Sequence, residues 1–219
     1  MTKTFSQAEA LAGPGPGCSL CPRLAAFLDK HRALYPDWHN APVPAFGPAD
    51  AWLLIVGLAP GLRGANRTGR PFTGDGAGDL LYPTLVEAGL AKGLYDLRPD
   101  DGLKLIGTRV TNAVRCVPPE NKPTALEAKT CRPFLIAEID ALTNLKVMVA
   151  LGKIAHDAVL TTFDLRKADY KFAHNARHDL PNGLIMVDSY HCSRYNVNTR
   201  RLTPEMFADV FQQVKAIAN

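Results

Sequence analysis

The chain has 219 residues, 47% of them hydrophobic, and its formal net charge at pH 7 is +4. This length suits one compact α/β domain, and the hydrophobic content excludes an intrinsically disordered chain. No apolar run is long enough to span a bilayer, and residues 1–17 lack the apolar segment of a secretory signal. We therefore expect a cytoplasmic protein. The small positive charge permits a polyanionic partner without requiring one.

The first 35 residues contain an arm and then a helix. Residues 1–17 end in a Gly-Pro-Gly-Pro-Gly run, and we expect them to form a loose N-terminal arm. Apolar residues recur at helical spacing over residues 21–35, which predicts an amphipathic helix. Its predicted apolar side consists of Leu24, Phe27, Leu28 and Leu34.

Strands and helices are expected to alternate in the rest of the chain. Continuous apolar runs are typical of strands buried on both faces, and they occur at residues 51–58, 105–111, 146–151 and 184–189. Helices are expected at residues 76–89, 125–142, 153–163 and 204–218. Thr124 and Glu127 have capping-box spacing, and Thr203-Pro204 is a typical helix start.

This alternation predicts an α/β fold: a three-layer α/β/α domain, spanning residues 1–219, with a central four-stranded parallel sheet. Ligands of such sheets bind beyond the carboxyl ends of the strands. That rule selects the loops at residues 59–75, 112–123 and 191–201, together with the loop that follows Gly152.

Four of the five cysteines have the spacing of a metal site. Cys18 and Cys21 form a Cys-x-x-Cys pair, Cys116 follows a predicted strand, and Cys131 lies in a predicted helix. Four thiolates can hold zinc or an iron–sulfur cluster, and the spacing alone does not distinguish the two. They could also be ordinary buried thiols. Cys192, in a polar loop, is not expected to be a ligand.

The loop after the first strand is rich in glycine. Glycines allow backbone amides to approach a ligand closely, so this loop alone could bind a phosphate. Phe72 is a large aromatic residue in this polar loop, and it is either a platform for a planar base or a plug beneath the loop. Asp75 is either a functional carboxylate or the cap of the next helix.

Two further loops carry polar side chains next to strand ends. Asn112 can donate and accept hydrogen bonds at once, which suits the edge of a pyrimidine, or it can satisfy a turn. His191 as a neutral imidazole could donate to an oxygen that gains charge, or it could be a structural histidine. Ser193, Asn196 and nearby arginines are suited to phosphates.

Taken together, the ordered motifs CSLCPR, VGLAPG, NRTGRPFTGD, TNAVRCVPPENKPT and HCSRYNVNTRRLT resemble the uracil-DNA glycosylase superfamily, most closely its iron–sulfur family 5. The resemblance runs from Cys18 to about Pro204. Other members have Asp, Asn or Glu within the motif that residues 57–61 occupy here. This chain has Leu58 and Ala59 there, as family 5 does, and Asp75 is the candidate replacement. Cys192 stands where proline or another small residue is usual.

The resemblance implies a [4Fe–4S] cluster with a structural role, held by Cys18, Cys21, Cys116 and Cys131. It implies Asp75 and His191 as catalytic residues, and it places a set of side chains at the substrate: Gly57, Ala59, Phe72, Asn112, Ser193 and Asn196. In this interpretation the loop at residues 193–196 presses into the DNA minor groove. The expected DNA-binding residues are Arg67, Arg70, Arg194 and Tyr195.

The predicted activity is hydrolysis of the N-glycosidic bond of uracil, and of other deaminated bases such as hypoxanthine or of etheno-cytosine, after the base has been flipped out of DNA. His191 would stabilise the departing base, and Asp75 would orient or deprotonate water. The alternatives are a uracil-specific family 4 enzyme, a non-catalytic module that binds DNA lesions, and an iron–sulfur redox protein. The partner is damaged DNA, and we expect a monomer.

Overall fold

The computed structural model describes residues 5–218. Its strands, in chain order, are β1 (Leu53–Gly57), β2 (Ala91–Lys92), β3 (Lys104–Leu105), β4 (Thr108–Asn112), β5 (Val147–Leu151), β6 (Arg177–Asp179) and β7 (Ile185–Ser189). Its helices are α1 (Gln7–Ala12), α2 (Pro22–Leu34), α3 (Ala65–Thr68), α4 (Gly78–Glu87), α5 (Ala125–Ala141), α6 (Lys153–Thr162), α7 (Arg194–Asn198) and α8 (Pro204–Ala218). None of these helices combines the length and apolarity that crossing a membrane requires.

The central sheet has five strands in the order β4-β1-β5-β7-β6. The first four are parallel, which confirms the predicted parallel sheet. The fifth strand, β6, pairs antiparallel with β7 at one edge and was not predicted. Its residues are Arg177, His178 and Asp179, none of them apolar, so it lacks the hydrophobic run that marks a buried strand.

Helices cover both faces of the sheet, so the predicted three-layer arrangement is confirmed. Successive side chains of a strand point to opposite faces. Leu53 and Ile55 of β1 therefore pack with α4 and α8 on one side. Leu54 and Val56 pack with α5 and α6 on the other. Each face has its own hydrophobic core, and the strand ends between them are free to carry polar residues.

The N-terminal arm is not loose over the part that the structure describes. Residues 1–4 lie outside that part, but α1 forms over Gln7–Ala12 and packs on α5. Ser6 caps it with a capping box, the side chain of Gln7 donates to the carbonyl of Ala141, and Arg109 donates to the carbonyl of Leu11. The prediction missed this helix because a six-residue segment shows too little periodicity to be recognised.

Helix α2 begins and ends within one residue of its predicted bounds, but its buried side differs from the expected one. Leu24 and Leu28 are buried, whereas Leu34 is 57% exposed, so placing Leu34 on the apolar side was wrong. His31 is buried instead, and its Nδ1 lies 2.7 Å from the carbonyl oxygen of Phe27. A local hydrogen bond thus makes the polar ring an acceptable interior residue.

A buried ionic network joins β4 to α5 beside the arm. The fully buried Glu138 carboxylate accepts from Arg109 at 2.6 Å, from Thr111 at 2.9 Å and from Arg115. Burial would raise the pKa of Glu138, but Arg115 and Arg109 outweigh it and hold that pKa below its usual value. Two guanidinium groups on one carboxylate leave net positive charge in this region.

Candidate active site at the carboxyl ends of the strands

The carboxyl ends of β1, β4 and β7 open into one cleft with a volume of about 1050 Å³. Eight of the residues selected from the sequence line it: Ala59, Arg67, Phe72, Asp75, Asn112, His191, Ser193 and Arg194. The cleft thus lies where the rule for open parallel sheets places a ligand. The loop that follows Gly152 contributes no lining residue within the described chain, although Gly152 itself packs near His191.

Gly57 brings an aromatic ring and an amide together at the floor of the cleft. A Cβ added at Gly57 would lie 2.5 Å from the Phe72 ring and 2.5 Å from Asn112 Oδ1, closer than any side chain tolerates. Gly57 itself does not line the cleft, so it shapes the site from beneath. Phe72 is 7% exposed and has a φ of 52°, a backbone conformation that is unusual for a bulky residue. It is therefore both packed against the core and presented to the cleft.

The carboxamide of Asn112 is the one unsatisfied polar group of this floor among the described residues. Asn112 is 4% exposed, and its Oδ1 has no hydrogen-bond partner. Leaving a buried acceptor without a partner costs about 1–3 kcal/mol. A ligand that donates a hydrogen bond to Oδ1 recovers this energy. The predicted role in a turn is excluded, because that role would satisfy the side chain locally.

Asp75 stands at the cleft ahead of α4. Its Oδ1 accepts from the backbone N–H of Ala77 at 3.1 Å, but the N-cap of α4 is Ala77 and no side chain caps it, so the alternative of Asp75 as helix cap was wrong. Its Oδ2 faces two glycines, and a Cβ added at Gly64 would lie 2.2 Å from it, or 3.1 Å from it if added at Gly61. One carboxylate oxygen is thus held by the backbone, while the other faces Gly61 and Gly64.

His191 lies across the cleft, past the end of β7. Its ring centroid is 6.0 Å from that of Phe72. Burial lowers the pKa of His191 below its usual value, and the nearby Asp75 carboxylate opposes that shift. Because the lowered pKa favours the neutral form, His191 can act at neutral pH as an uncharged hydrogen-bond donor.

The loop after His191 forms the short helix α7, and its polar residues hold this loop in shape. Ser193 is the N-cap and accepts from the backbone N–H of Asn196 at 3.4 Å. Asn196 does not line the cleft: its carboxamide donates to the carbonyl of His191 at 2.8 Å. This hydrogen bond ties Asn196 to the backbone of His191, and the expected contact of Asn196 with substrate stays a prediction. Arg194 packs over Gly76 at the rim, and Tyr195 is 73% exposed beside it.

Arg70 was predicted to bind DNA, and the structure corrects this. It is 4% exposed and makes two hydrogen bonds to the Asp101 carboxylate, at 2.8 and 2.7 Å. Its guanidinium also lies 5.1–5.7 Å from the ring centroids of Phe46, Tyr82 and Tyr95. The arginine is thus committed to the interior. Arg67, three residues earlier, is exposed and lines the cleft.

Sequence reasoning assigned no role to several further residues of the cleft wall. Tyr35 is the C-cap of α2, Trp38 follows in the proline-containing segment 36–48, and Arg63 and Asn121 come from loops already singled out. The available signal was a pair of aromatic residues at the end of the predicted helix and just after it. This signal carries little information unless one knows which part of the protein the two aromatic residues face.

The four predicted ligand cysteines meet at a second site. Cys18, Cys21, Cys116 and Cys131 line one small pocket, whose other walls include apolar residues of α2 and α5. Burial, and then the neighbouring thiols, raise the pKa of Cys116 to about 12, and burial followed by Cys131 raises that of Cys21 to about 11. The backbone N–H of Arg115 lies 3.4 Å from Cys131 Sγ and donates to it. Four clustered sulfurs in an apolar shell fit a thiolate-bound metal centre.

Cys192 is not part of that cluster. It is fully buried in the core beneath α8, although its sequence suggested a polar loop. A second group of possible ligands consists of His156, His178 and Asp188, with the carboxylate 2.8 Å from a ring nitrogen of each histidine. His156 Nε2 also lies 2.9 Å from the carbonyl oxygen of Tyr170. These contacts already join the three side chains in a hydrogen-bonded network on the α6 side of β7.

The fold and the cleft together define an α/β/α protein whose candidate site combines an aromatic ring, an unpaired amide oxygen, a carboxylate and an imidazole. Residues 44–215 match the sequence model of the uracil DNA glycosylase superfamily, and the chain belongs to that superfamily.

The similar proteins include two types of uracil-DNA glycosylase. The chain is 47% identical over 216 residues to the Type-5 uracil-DNA glycosylase of Thermus thermophilus, covering 96% of this chain and 98% of that protein. It is 42% identical over 212 residues to the Type-5 enzyme of Mycobacterium leprae, covering 92% and 91%. The Type-4 uracil-DNA glycosylase of Archaeoglobus fulgidus is 35% identical over 124 residues, covering 56% of this chain and 54% of that protein.

Proposed function

We propose that this protein is a type-5 uracil-DNA glycosylase, a repair enzyme that hydrolyses the bond between uracil and deoxyribose. The observation that carries the proposal is the unpartnered, buried Asn112 Oδ1, which lies next to the Phe72 ring and opens into the same cleft as Asp75 and His191. The type-5 relatives and the superfamily match support the same activity.

The floor of the cleft is suited to uracil. Phe72 offers a flat apolar surface to a base that has left the helical stack. Asn112 Oδ1 would accept from N3–H of uracil, while its amide nitrogen donates to a neighbouring carbonyl oxygen. Cytosine has no proton at N3 and would leave Oδ1 unsatisfied. Hypoxanthine presents the same pair of groups, N1–H beside O6, so it belongs to the proposal as a substrate. Etheno-cytosine is an alkylated base without a proton at N3, so its place in the proposal rests on stacking against Phe72 and not on Asn112.

The reaction breaks the C1′–N glycosidic bond and joins the hydroxyl group of water to C1′. As the bond breaks, negative charge develops on the base and positive charge on the sugar. His191, neutral because of its lowered pKa, would donate a hydrogen bond to the base oxygen that gains charge. Asp75 would accept the proton of the attacking water and stabilise the cationic sugar with its free oxygen.

The type-5 assignment is favoured over a family 4 enzyme by the loop that follows β1. Ala59 lines the cleft, and neither it nor Leu58 can activate water. Asp75 is the carboxylate that reaches the same cleft from the next loop. The relatives agree, since the type-5 proteins match almost the whole chain and the type-4 protein of Archaeoglobus fulgidus only 56% of it.

We further propose that the four clustered cysteines hold a [4Fe–4S] cluster with a structural role. Hydrolysis of a glycosidic bond transfers no electron, so the reaction gives the cluster no redox task. When bound, the cluster would supply four iron–thiolate bonds that join the start of α2 to α5 and to the loop after β4. We also propose that the protein acts as a monomer. We propose that it acts in the cytoplasm.

The test is cleavage of labelled DNA that carries one uracil, followed by alkali to break abasic sites. Asp75→Asn keeps the size of the side chain and removes its basicity, and we expect it to lower the single-turnover rate by roughly 100-fold or more. Asp79→Asn is the matched control, because Asp79 is exposed on the first turn of α4 and does not line the cleft. Parallel substrates with hypoxanthine or etheno-cytosine measure the base range.

Retention of DNA binding without cleavage of any lesion by the wild type, with its metal centre loaded, would instead establish a lesion-binding module. Equal rates for Asp75→Asn and the wild type would remove Asp75 from the mechanism.

A further inference from the structure

Three aromatic rings form a stack that leads to the rim of the cleft. Tyr35 and Trp38 lie nearly parallel, with centroids 4.1 Å apart and an interplanar angle of 9°. His31 continues the stack behind Tyr35, at 6.2 Å and 17°. Tyr35 is 41% exposed, and Trp38 is partly exposed. Tyr35 and Trp38 are large aromatic residues that could have packed in the core. Their accessible surface beside a charged cleft therefore points to a role in binding.

The segment that carries the stack is held firmly to the loop after β1. The backbone N–H groups of His39 and Asn40 donate to the carbonyls of Arg67 and Asn66, each at 3.0 Å. The Asn66 side chain donates to Asn40 Oδ1 at 2.9 Å, and Asn40 donates to the carbonyl of Tyr35 at 2.7 Å. Asn40 and Asn66 are buried, so water does not compete for these bonds. The aromatic surface is therefore preorganised relative to the loop after β1, which carries Arg67.

The same residues connect the cleft to a second groove. Trp38 and Arg67 line both the cleft and this groove, whose wall also contains Arg98 and Asp37. Arg63 and Arg67 are exposed on the side towards the cleft. Arg98, by contrast, lies 3.4 Å from Asp96 and 4.0 Å from Asp100, which partly neutralise it. Positive charge free to meet a phosphate is thus concentrated next to Trp38.

We propose that Tyr35 and Trp38 form a ledge on which an unpaired nucleotide next to the excised uracil stacks, with its phosphate at Arg67. This inference rests on the proposed function, since the strand must enter the cleft with its target base. A base stacks well on an aromatic side chain, and stacking does not depend on its identity. In duplex DNA the neighbouring bases are already stacked and paired. The ledge therefore adds affinity for single-stranded or frayed substrate.

Binding is measured first without catalysis. The probe is a single-stranded oligonucleotide with a tetrahydrofuran abasic analogue at the target position, which no glycosylase can cleave. The chain has two tryptophans, and Trp52 is partly buried against Gly107, away from the cleft. In a Trp52→Phe background the remaining fluorescence comes from Trp38, and we expect the oligonucleotide to quench it. Absence of quenching at saturating DNA would overturn the ledge.

Variants then separate stacking from folding. Loss of one base–aromatic stack should raise the dissociation constant for the single strand on the order of 10-fold in Trp38→Ala, and Trp38→Phe should recover most of it. The duplex should be affected several-fold less, and Trp52→Phe is the control for tryptophan replacement. Intact visible absorbance of the metal centre verifies folding. Equal losses on single strand and duplex would contradict a ledge for unpaired nucleotides.

Cleavage assays with truncated substrates complete the test. Nucleotides are removed one at a time from each side of uracil. The loss of one particular flanking nucleotide should slow uracil excision by the wild type, whereas the same loss should leave the rate of Trp38→Ala unchanged. If the wild type cleaves uracil but shows no such position, the ledge is wrong while the proposed function stands. If the wild type cleaves nothing, the proposed function fails, and the ledge is then accepted or rejected on the fluorescence result alone.

Discussion

At the scale of single residues, the shape of the cleft depends on two glycines, which have no side chain. Gly57 lets the Phe72 ring and the Asn112 amide meet, and Gly64 lets the Asp75 carboxylate approach the backbone of the neighbouring loop. The sequence suggested that these glycines admit a ligand to the backbone. In the structure both make room for functional side chains, which is a different reason for the same residue type.

A methyl group at Gly64 should therefore disable Asp75 without touching it chemically. The Cβ of Gly64→Ala would lie 2.2 Å from Asp75 Oδ2, so the carboxylate must move. We expect the rate of uracil excision to fall by about 100-fold, the effect of a displacement near 1 Å at a reacting group. Single-turnover cleavage measures it. Gly15→Ala is the control, because nothing lies within 4 Å of its Cβ, and an unchanged rate in Gly64→Ala would contradict the geometry.

The lowered pKa of His191 predicts how stability depends on pH. Burial is the largest cause of the shift, so the folded protein keeps the ring neutral below the usual value of 6.5, where the unfolded chain already binds a proton. Acidification below pH 6.5 therefore favours unfolding, until the pKa of the folded state is reached. His191→Gln cannot titrate. We expect the wild-type free energy of unfolding to fall, relative to this variant, between pH 7.5 and 5.5 in denaturant titrations. A difference in the free energy of unfolding that does not change with pH would contradict the prediction.

At the scale of elements, loops that seem open in the sequence are held by buried ion pairs. The predicted phosphate contact Arg70 is the clearest case, since it anchors the loop after α3 to the connection between β2 and β3 through Asp101. Burial would raise the pKa of Asp101, but Arg70 and the backbone N–H groups of Asp96 and Leu103 hold it below its usual value. The loop that carries Phe72 and Asp75 is thereby fixed at one end.

Arg70→Ala should be one of the more damaging substitutions outside the cleft. It leaves the Asp101 carboxylate buried without its cation, and we expect the free energy of unfolding to fall by about 3–5 kcal/mol. Arg98→Ala is the matched control: its side chain is 63% exposed beside Asp96 and Asp100, and exposed pairs contribute at most about 1 kcal/mol. Chemical denaturation compares the two. Similar small losses in both would show that Arg70 is not essential to the fold.

At the scale of the whole molecule, the four cysteines connect distant parts of the chain. Cys18 and Cys21 precede α2, Cys116 follows β4, and Cys131 belongs to α5. A centre bound by all four would hold the N-terminal segment against the body of the domain. Helix α1 and the network around Glu138 lie on the same side and reinforce that attachment.

Removing one ligand should therefore release the N-terminal segment. We expect Cys131→Ala to abolish the visible absorbance of an iron–sulfur cluster and to expose residues 13–21 to limited proteolysis. Cys192→Ala is the control, since that thiol is buried in the core and does not line the cysteine pocket. Absorbance and protease resistance that survive in Cys131→Ala would exclude the cysteine from the centre.

The sequence alone determined the parallel sheet, the two helical layers and most of the cleft. Continuous apolar runs identify buried strands, and their carboxyl ends lie at one edge of a parallel sheet, so Phe72, Asp75, Asn112 and His191 could be assigned to one site. The strand β6 and the helix α1 were not predicted, because short polar elements have no periodic signal. They are stabilised by contacts with other elements of the fold.

Only the tertiary structure decided which polar residues face the cleft. Arg67 and Arg70 are indistinguishable in sequence, yet one is exposed and the other is enclosed by three aromatic rings and Asp101. The same holds for Trp38, because the sequence around it has no pattern that relates it to the loop after β1. Exposure and long-range contact depend on what the rest of the chain places around a residue, and local sequence carries no record of that.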